Sequence, residues 1–178
     1  MSGKDPITSG EELTLWAIRL SIALYVAAVA LWLNREKPGF ARPARACWAG
    51  ACLCFLVHVL LAFHFHHAWS HAEALKETAR RTGELTGSSS GSGIYLNYLM
   101  AVVWAADAVW WLRDPAGYES RPPAIEIPVH AFFAFMFFNA VVVFGEGLLR
   151  GAGAVASVIL VAMFMYGQFK PKAFPPTA

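Results

Sequence analysis

Four histidines lie within residues 63 to 71, in the segment FHFHHAWSH, directly after an apolar run that suits a membrane interior. On a helix that turns by about 100° per residue, His64, His67 and His71 fall within about 60° of one another. His67 and His71 also have the i, i+4 spacing with which two imidazoles bind one metal ion. Imidazole is a preferred ligand of zinc, copper, iron and nickel. The pattern therefore predicts a transition-metal site, with copper, iron or zinc as the candidate ions.

Further ligands of this site are expected from other helices, because one helix rarely supplies three ligands of a closed tetrahedral shell. Glu146, near the end of the fourth apolar segment, is the carboxylate at the matching depth. Polar residues that are expected at the outer shell of the site or inside the bundle are Arg19, Asn97, Tyr98 and Asn139. Two alternatives stay open for the histidines: solvated residues at the membrane interface, and a group that senses pH through imidazole protonation.

A b-type haem is an alternative cofactor, with His58 as an axial ligand and Met100 as a second one. His130 is a poorer partner for His58. His58 lies about 18 Å from the inner end of its span at 1.5 Å per residue, whereas His130 lies within a few residues of the inner end of another span. One iron would not reach both imidazoles.

A second group of polar residues is predicted in the inner half of the membrane. Asp107 is the acid deep in the third span, and His130 comes to nearly the same depth. The carboxylate is expected to pair with the imidazole and to fix its tautomer. The face of the third span that carries Asp107 also carries Asn97, Met100, Trp104 and Trp111. The alternatives are an ion pair that holds helices together, a proton-handling or ligand-binding site, and an aromatic pocket for a flat ring such as a quinone.

Composition places these residues in a membrane protein. Hydrophobic residues make up 57% of the chain and charged residues 15%, whereas soluble proteins have about a quarter of charged residues. The chain of 178 residues leaves room for one all-α, integral membrane helical bundle, a single domain over 1–178. A net charge of +2 from scattered residues does not indicate nucleic-acid binding. No P-loop, dinucleotide-binding fingerprint or H-E-x-x-H motif occurs, so the sequence leaves open whether the protein is an enzyme.

Apolar stretches near the length that crosses a bilayer predict five transmembrane helices. They are 13–33, 46–67, 94–112, 128–145 and 152–169. The last two reduce the count to four if they form one kinked segment. The second helix is predicted to extend beyond the outer membrane face, because SHAEALKETARRTGEL favours a helix and contains no Pro or Gly before Gly83.

Topology is predicted from Lys and Arg in the short loops. The first connection carries Arg35, Lys37, Arg42 and Arg45, whereas the N-terminus is acidic. The N-terminus is therefore expected outside and the C-terminus in the cytoplasm. The sequence thus predicts a multi-pass protein with a histidine-rich metal site at the outer face, for redox chemistry or metal handling. The alternatives are a haem electron-transfer protein and a non-catalytic subunit of a larger membrane complex. The expected partners are the lipid bilayer and a membrane or electron-transfer protein.

Overall fold

The computed structural model describes residues 9–34 and 39–143, together with 147, 150, 151, 153–155, 157 and 158. Helices dominate, and the described residues form no strand. The helices are α1 (Ser9–Trp32), α2 (Ala41–Phe65), α3 (His71–Thr86), α4 (Gly93–Arg113), α5 (Pro115–Glu119) and α6 (Pro123–Phe138), the last of which continues as a π-helical turn (Asn139–Val143).

Within the described residues, four helical segments are long and apolar enough to cross a membrane: α1, α2, α4, and α6 together with its π-helical turn. They confirm the first four predicted spans, with shifts of a few residues at the ends. Helix starts follow local signals, since Pro115 and Pro123 stand in the first turns of α5 and α6, where a missing N–H breaks no helical bond. Most of the predicted fifth span, 152–169, lies outside the described residues.

The predicted continuous extension of the second helix is not seen. α2 ends at Phe65, and the chain turns through Ala68 and Trp69, which have φ angles of 45° and 60°. α3 then begins as a separate helix, because Ser70 caps it by accepting a hydrogen bond of 3.3 Å from the Glu73 amide. The residues that were predicted to continue α2 are helical, but their direction is set by the left-handed turn.

Helix packing places α1 and α2 side by side, with α4 against α2 and with fewer contacts between α4 and α6. Ser21 of α1 donates a hydrogen bond of 2.8 Å to the Ala51 carbonyl of α2. Gly10 lets the start of α1 meet the end of α2, since a Cβ there would lie 2.5 Å from the Phe65 ring. The looser α4 and α6 pair leaves room for a groove that is described below.

The core of the bundle is unusually aromatic. Its buried ring residues are Tyr25, Trp32, Phe55, Trp48, Trp104, Trp111, Tyr118, Phe133 and Phe137. Neighbouring rings pack edge to face or tilted, as Trp48 does on Phe133 at 5.0 Å between centroids. This arrangement surrounds polar residues near the C-terminal end of α4 with flat, apolar walls.

Candidate functional site

Asp107 of α4 is buried and bound by two donors from the segment that follows its helix. Arg121 donates from Nη1 to Oδ1 at 2.8 Å, and the Tyr118 hydroxyl donates to Oδ2 at 2.8 Å. The Arg121 side chain has 0% exposure and the Asp107 side chain 6%. The carboxylate and guanidinium therefore compensate each other's charge where water is largely excluded.

Arg121 also contacts the histidine that was predicted to pair with Asp107. Its Nη2 lies 2.9 Å from Nε2 of His130. A guanidinium can only donate, so Nε2 of His130 is the acceptor in this contact. The structure thus places Arg121 in contact with both predicted partners. The resulting set of Asp107, Tyr118, Arg121 and His130 is called the inner polar cluster below, after the side of the membrane on which the sequence predicts it.

The short helix α5 positions the two donors of this cluster. Asp114 caps α5 by accepting a hydrogen bond of 2.9 Å from the Gly117 amide. Gly117 leaves room for this cap, because a Cβ there would collide with the Asp114 carboxylate in its capping position. Tyr118 then stacks on Trp111, with ring centroids 4.6 Å apart and an angle of 8° between planes. Burial, followed by the charge of Asp107, raises the pKa of Tyr118, so its hydroxyl remains a donor.

Arg121 and Tyr118 were not among the predicted site residues. Both lie in the connection between α4 and α6, where the periodicity of the spans says nothing about side-chain direction. One signal was available: a buried carboxylate such as Asp107 needs a cation. Arg113 and Arg121 are the basic residues that follow it before α6.

Aromatic rings enclose the inner polar cluster. The His130 ring lies 5.7 Å from Trp48 and 6.2 Å from Trp32, measured between centroids. Trp48 in turn lies 5.4 Å from Trp104, and Trp32 lies 5.0 Å from Trp111. The predicted face of the third span is confirmed in large part, since Met100, Trp104, Asp107 and Trp111 are buried, whereas Asn97 is exposed.

Several buried donors in this region lack an acceptor. Within the described residues, no partner is in reach of Nε1 of Trp48, Trp104 or Trp111, or of Nε of Arg121. Each buried N–H without a partner costs about 1 to 3 kcal/mol. All four atoms are donors, so what the site lacks is hydrogen-bond acceptors.

A groove reaches the cluster from the lipid side, between α4 and α6. Its volume is about 270 Å³. Its lining includes Val102, Ala106, Asp107 and Trp110 of α4 and Ile125 and Val129 of α6. Asp107 belongs to both the groove and the inner polar cluster. A molecule dissolved in the bilayer could therefore approach the buried ion pair without passing through water.

The four histidines of residues 63–71 are divided between the end of α2, the turn that follows it and the start of α3. Nε1 of Trp69 donates to Nδ1 of His64 at 3.3 Å, and Nδ1 of His71 lies 2.8 Å from the Tyr98 hydroxyl. Partial burial, followed by His66, lowers the pKa of His67. Among the described residues, no three His, Cys, Asp or Glu side chains form a group that could hold a metal ion. Glu146, the predicted fourth ligand, lies outside the described residues.

The remaining predicted residues contact their own helices or neighbours. His58 of the haem alternative lies with Nδ1 3.0 Å from the Thr14 carbonyl, and Met100 packs in the aromatic core. Arg19 is exposed, with its guanidinium 5.3 Å from the Trp16 ring centroid. Asn139 donates a hydrogen bond of 2.8 Å back to the Phe135 carbonyl.

No protein-family model, no curated protein and no solved structure matches the chain.

Proposed function

We propose that the protein binds a lipid-soluble small molecule at the inner polar cluster. The observation that carries the proposal is the set of four buried N–H donors, in Arg121 and in the rings of Trp48, Trp104 and Trp111, that have no acceptor among the described residues. Buried polar groups are normally paired, and an ionisable pair inside a membrane suggests a functional site by default. A ligand that carries acceptor oxygens would pair these donors. The groove that reaches Asp107 provides its route from the bilayer.

The competing interpretation is structural. The bonds from Tyr118 and Arg121 to Asp107 tie the segment after α4 back onto the bundle, and this alone would stabilise the fold. It does not explain the unpaired indole N–H groups, which no structural role requires. Replacing an unpaired donor by an apolar group costs little, whereas replacing a donor that binds a ligand lowers the affinity.

This difference provides the test. We would purify the protein in mild detergent from native membranes and identify bound small molecules by mass spectrometry, for wild type, Trp48→Phe and Trp104→Phe. We expect wild type to retain one molecule with acceptor oxygens, and both variants to retain less at nearly unchanged thermal stability. Trp16→Phe and Trp69→Phe are matched controls, because both rings are exposed. If wild type and every variant retain only bulk phospholipid, the proposal is wrong and the inner polar cluster only stabilises the fold.

The second proposal is the metal site at the outer face. It is supported by His71, whose Nδ1 bonds to Tyr98, an arrangement that orients the ring and leaves Nε2 for an ion. His64 supports it less, because accepting from Trp69 at Nδ1 puts its proton on Nε2. A site built from His67 and His71, with Glu146 as a further ligand, would serve metal handling or redox chemistry.

Metal content measured after purification tests this second proposal. His67→Ala and His71→Ala should each sharply lower bound copper, iron or zinc, and His58→Gln, within α2, should not. Binding should also weaken as pH falls through about 6.5, since ligating imidazoles must be neutral. If His67→Ala and His71→Ala bind as much metal as wild type, the histidines have an interfacial role and the metal proposal is wrong.

A further inference from the structure

Arg19 is a cation in the middle of α1, on the surface of the bundle. It is the eleventh of the 24 residues of the helix, and it is exposed. Among the described residues no carboxylate pairs with it, and its guanidinium lies 5.3 Å from the Trp16 ring centroid. An arginine inside a membrane is costly unless it is paired, and it marks a functional site by default. We infer that this surface of α1 and α2 docks a transmembrane helix of another membrane protein, which carries a carboxylate near its middle.

The depth of Arg19 favours a protein carboxylate over a lipid phosphate. At 1.5 Å per residue, α1 is about 36 Å long and exceeds a hydrocarbon core of about 30 Å by about 3 Å at each end. The backbone of Arg19, about 15 Å from the start of the helix, then lies about 12 Å inside the core. Its guanidinium lies over Trp16, three residues nearer the helix start, which recovers less than half of that depth. A phosphate meets it only if the bilayer thins there, whereas a carboxylate in the middle of a neighbouring helix meets it at its own depth.

An apolar groove beside Arg19 provides the surface for such a helix. It lies between α1 and α2, has a volume of about 430 Å³ and has no charged residue in its lining. Trp16 and Leu20, which stand on either side of Arg19 along α1, both line it, and so does Ala17. Helices associate in membranes through close packing at small residues such as alanine, strengthened by polar bonds between the helices. The groove provides the packing surface, and Arg19 provides the polar bond.

Charge complementarity selects a different chain over lipid or a second copy. Acyl chains can fill an apolar groove but bring no charge to balance Arg19, whereas a carboxylate pairs with a guanidinium through two parallel hydrogen bonds. The sequence has one acid within the five predicted spans, Asp107. Its two oxygens already accept from Arg121 and Tyr118, so a second copy of the chain offers no free acid at this depth. The partner is therefore a chain with an Asp or Glu of its own inside a span.

A designed transmembrane helix tests this inference on the full chain in phosphatidylcholine nanodiscs. The probe is a Leu-Ala peptide of about 21 residues with Lys at both ends and one Glu at its centre, and the reference peptide has Gln there. Resonance energy transfer from a dye on the N-terminus of the protein would measure association. We expect the Glu peptide to bind at least about tenfold more tightly than the Gln peptide. Equal affinity of the two peptides for wild type would overturn the inference.

Variants of Arg19 locate the charge that the peptide recognises. Arg19→Leu should remove the preference for the Glu peptide, and Arg19→Lys should keep it. Because Arg19 is exposed, neither change should lower thermal stability. Arg113→Leu is the matched control, since Arg113 is an exposed arginine at the last residue of α4, and it should leave the preference within about twofold of wild type. If Arg19→Leu still prefers the Glu peptide, the carboxylate binds elsewhere and the inference is wrong.

A second pair of variants tests the groove. Ala17→Phe, whose ring would occupy the groove between α1 and α2, should weaken binding of both peptides. Ala106→Phe, which fills the groove between α4 and α6 instead, should not. Equal binding by the two variants would show that the peptide does not dock between α1 and α2.

Photo-cross-linking in native membranes tests for the natural partner. A benzoylphenylalanine in place of Leu20, the exposed neighbour of Arg19, should cross-link to a span that has an Asp or Glu near its centre. The cross-link should disappear in Arg19→Leu and persist in Arg113→Leu. Cross-links to phospholipid alone, to a second copy of the chain, or to a span without an acid would each contradict the inference.

Discussion

Arg121 links three features that the sequence shows separately: an acid in a span, a histidine at the inner end of another span, and a basic connection. The carboxylate of Asp107 was predicted to need a partner within the bundle, and the structure supplies Arg121 at 2.8 Å. Helical periodicity located Asp107 correctly because α4 is regular throughout that span. It could not locate Arg121, because the direction of a side chain after a short capped helix depends on tertiary contacts.

The ion pair predicts an unequal response to single and double substitution. Asp107→Asn leaves the Arg121 guanidinium buried without a counter-charge, which should lower the free energy of unfolding by about 3 to 5 kcal/mol. Asp107→Asn combined with Arg121→Gln removes both charges and should recover part of that loss. Unfolding in bicelles by denaturant measures both variants.

Asp114→Asn is the control for this comparison, since Asn caps a helix about as well as Asp. It should change the free energy of unfolding by less than about 0.5 kcal/mol. Similar losses for Asp107→Asn and Asp114→Asn would show that burial of the Asp107 charge contributes little to stability.

At the scale of elements, helix type and position follow from the sequence more closely than helix direction does. Long apolar segments have few alternatives to a helix inside a bilayer, which is why four spans were predicted with small errors at their ends. The end of α2 was missed because no Pro or Gly marks it. Ala68 and Trp69 adopt left-handed φ values, a conformation that residues with a Cβ rarely take and that their types do not signal.

Helix α3 lies outside the spans and is held by charged pairs on its exposed face. Glu77 accepts from Arg80 at 2.7 Å and from Arg81 at 2.7 Å. These arginines, Arg80 first, lower the pKa of Glu77 to about 2 from an ordinary value of 4.5. A carboxylate whose folded-state pKa is depressed stabilises the helix above its unfolded pKa and loses this contribution as pH falls.

The helix should therefore weaken between about pH 4.5 and pH 2. Hydrogen exchange of α3 amides, corrected for intrinsic rates, should show lower protection at pH 3 than at pH 6. Glu77→Gln should show the lower protection at both pH values. The effect should be small, because surface pairs of this kind contribute about 0.3 to 0.5 kcal/mol each. Equal protection of wild type and Glu77→Gln at pH 6 would mean that the pairs do not support the helix.

At the scale of the whole molecule, the two candidate sites lie at opposite ends of the bundle. α2 and α4 both run between them, with the histidine turn beside the start of α4 and the inner polar cluster beside its end. Composition and span length were enough to predict an α-helical membrane protein. Which end faces the cytoplasm depends on insertion, which the packing of helices does not record.

The positive-inside rule predicts that the cluster end is cytoplasmic, because Arg42, Arg45 and Arg113 lie at the helix ends on that side. Two exposed serines lie on either side of α4: Ser88 precedes the helix, and Ser120 follows α5. Ser88→Cys should react with a membrane-impermeant maleimide on intact cells. Ser120→Cys should react only after permeabilisation, with wild type as the background for native cysteines.

A reporter fused after Ala178 completes the topology test. It should be cytoplasmic if 152–169 crosses the membrane as a fifth span, and external if the four helices are the only spans. The two cysteine results do not depend on that outcome, because the segments they probe precede it. Labelling of Ser120→Cys on intact cells, with Ser88→Cys protected, would invert the bundle. The proposed ligand groove would then open to the outer leaflet and the histidine turn would face the cytoplasm, where any metal would have to be supplied from inside the cell.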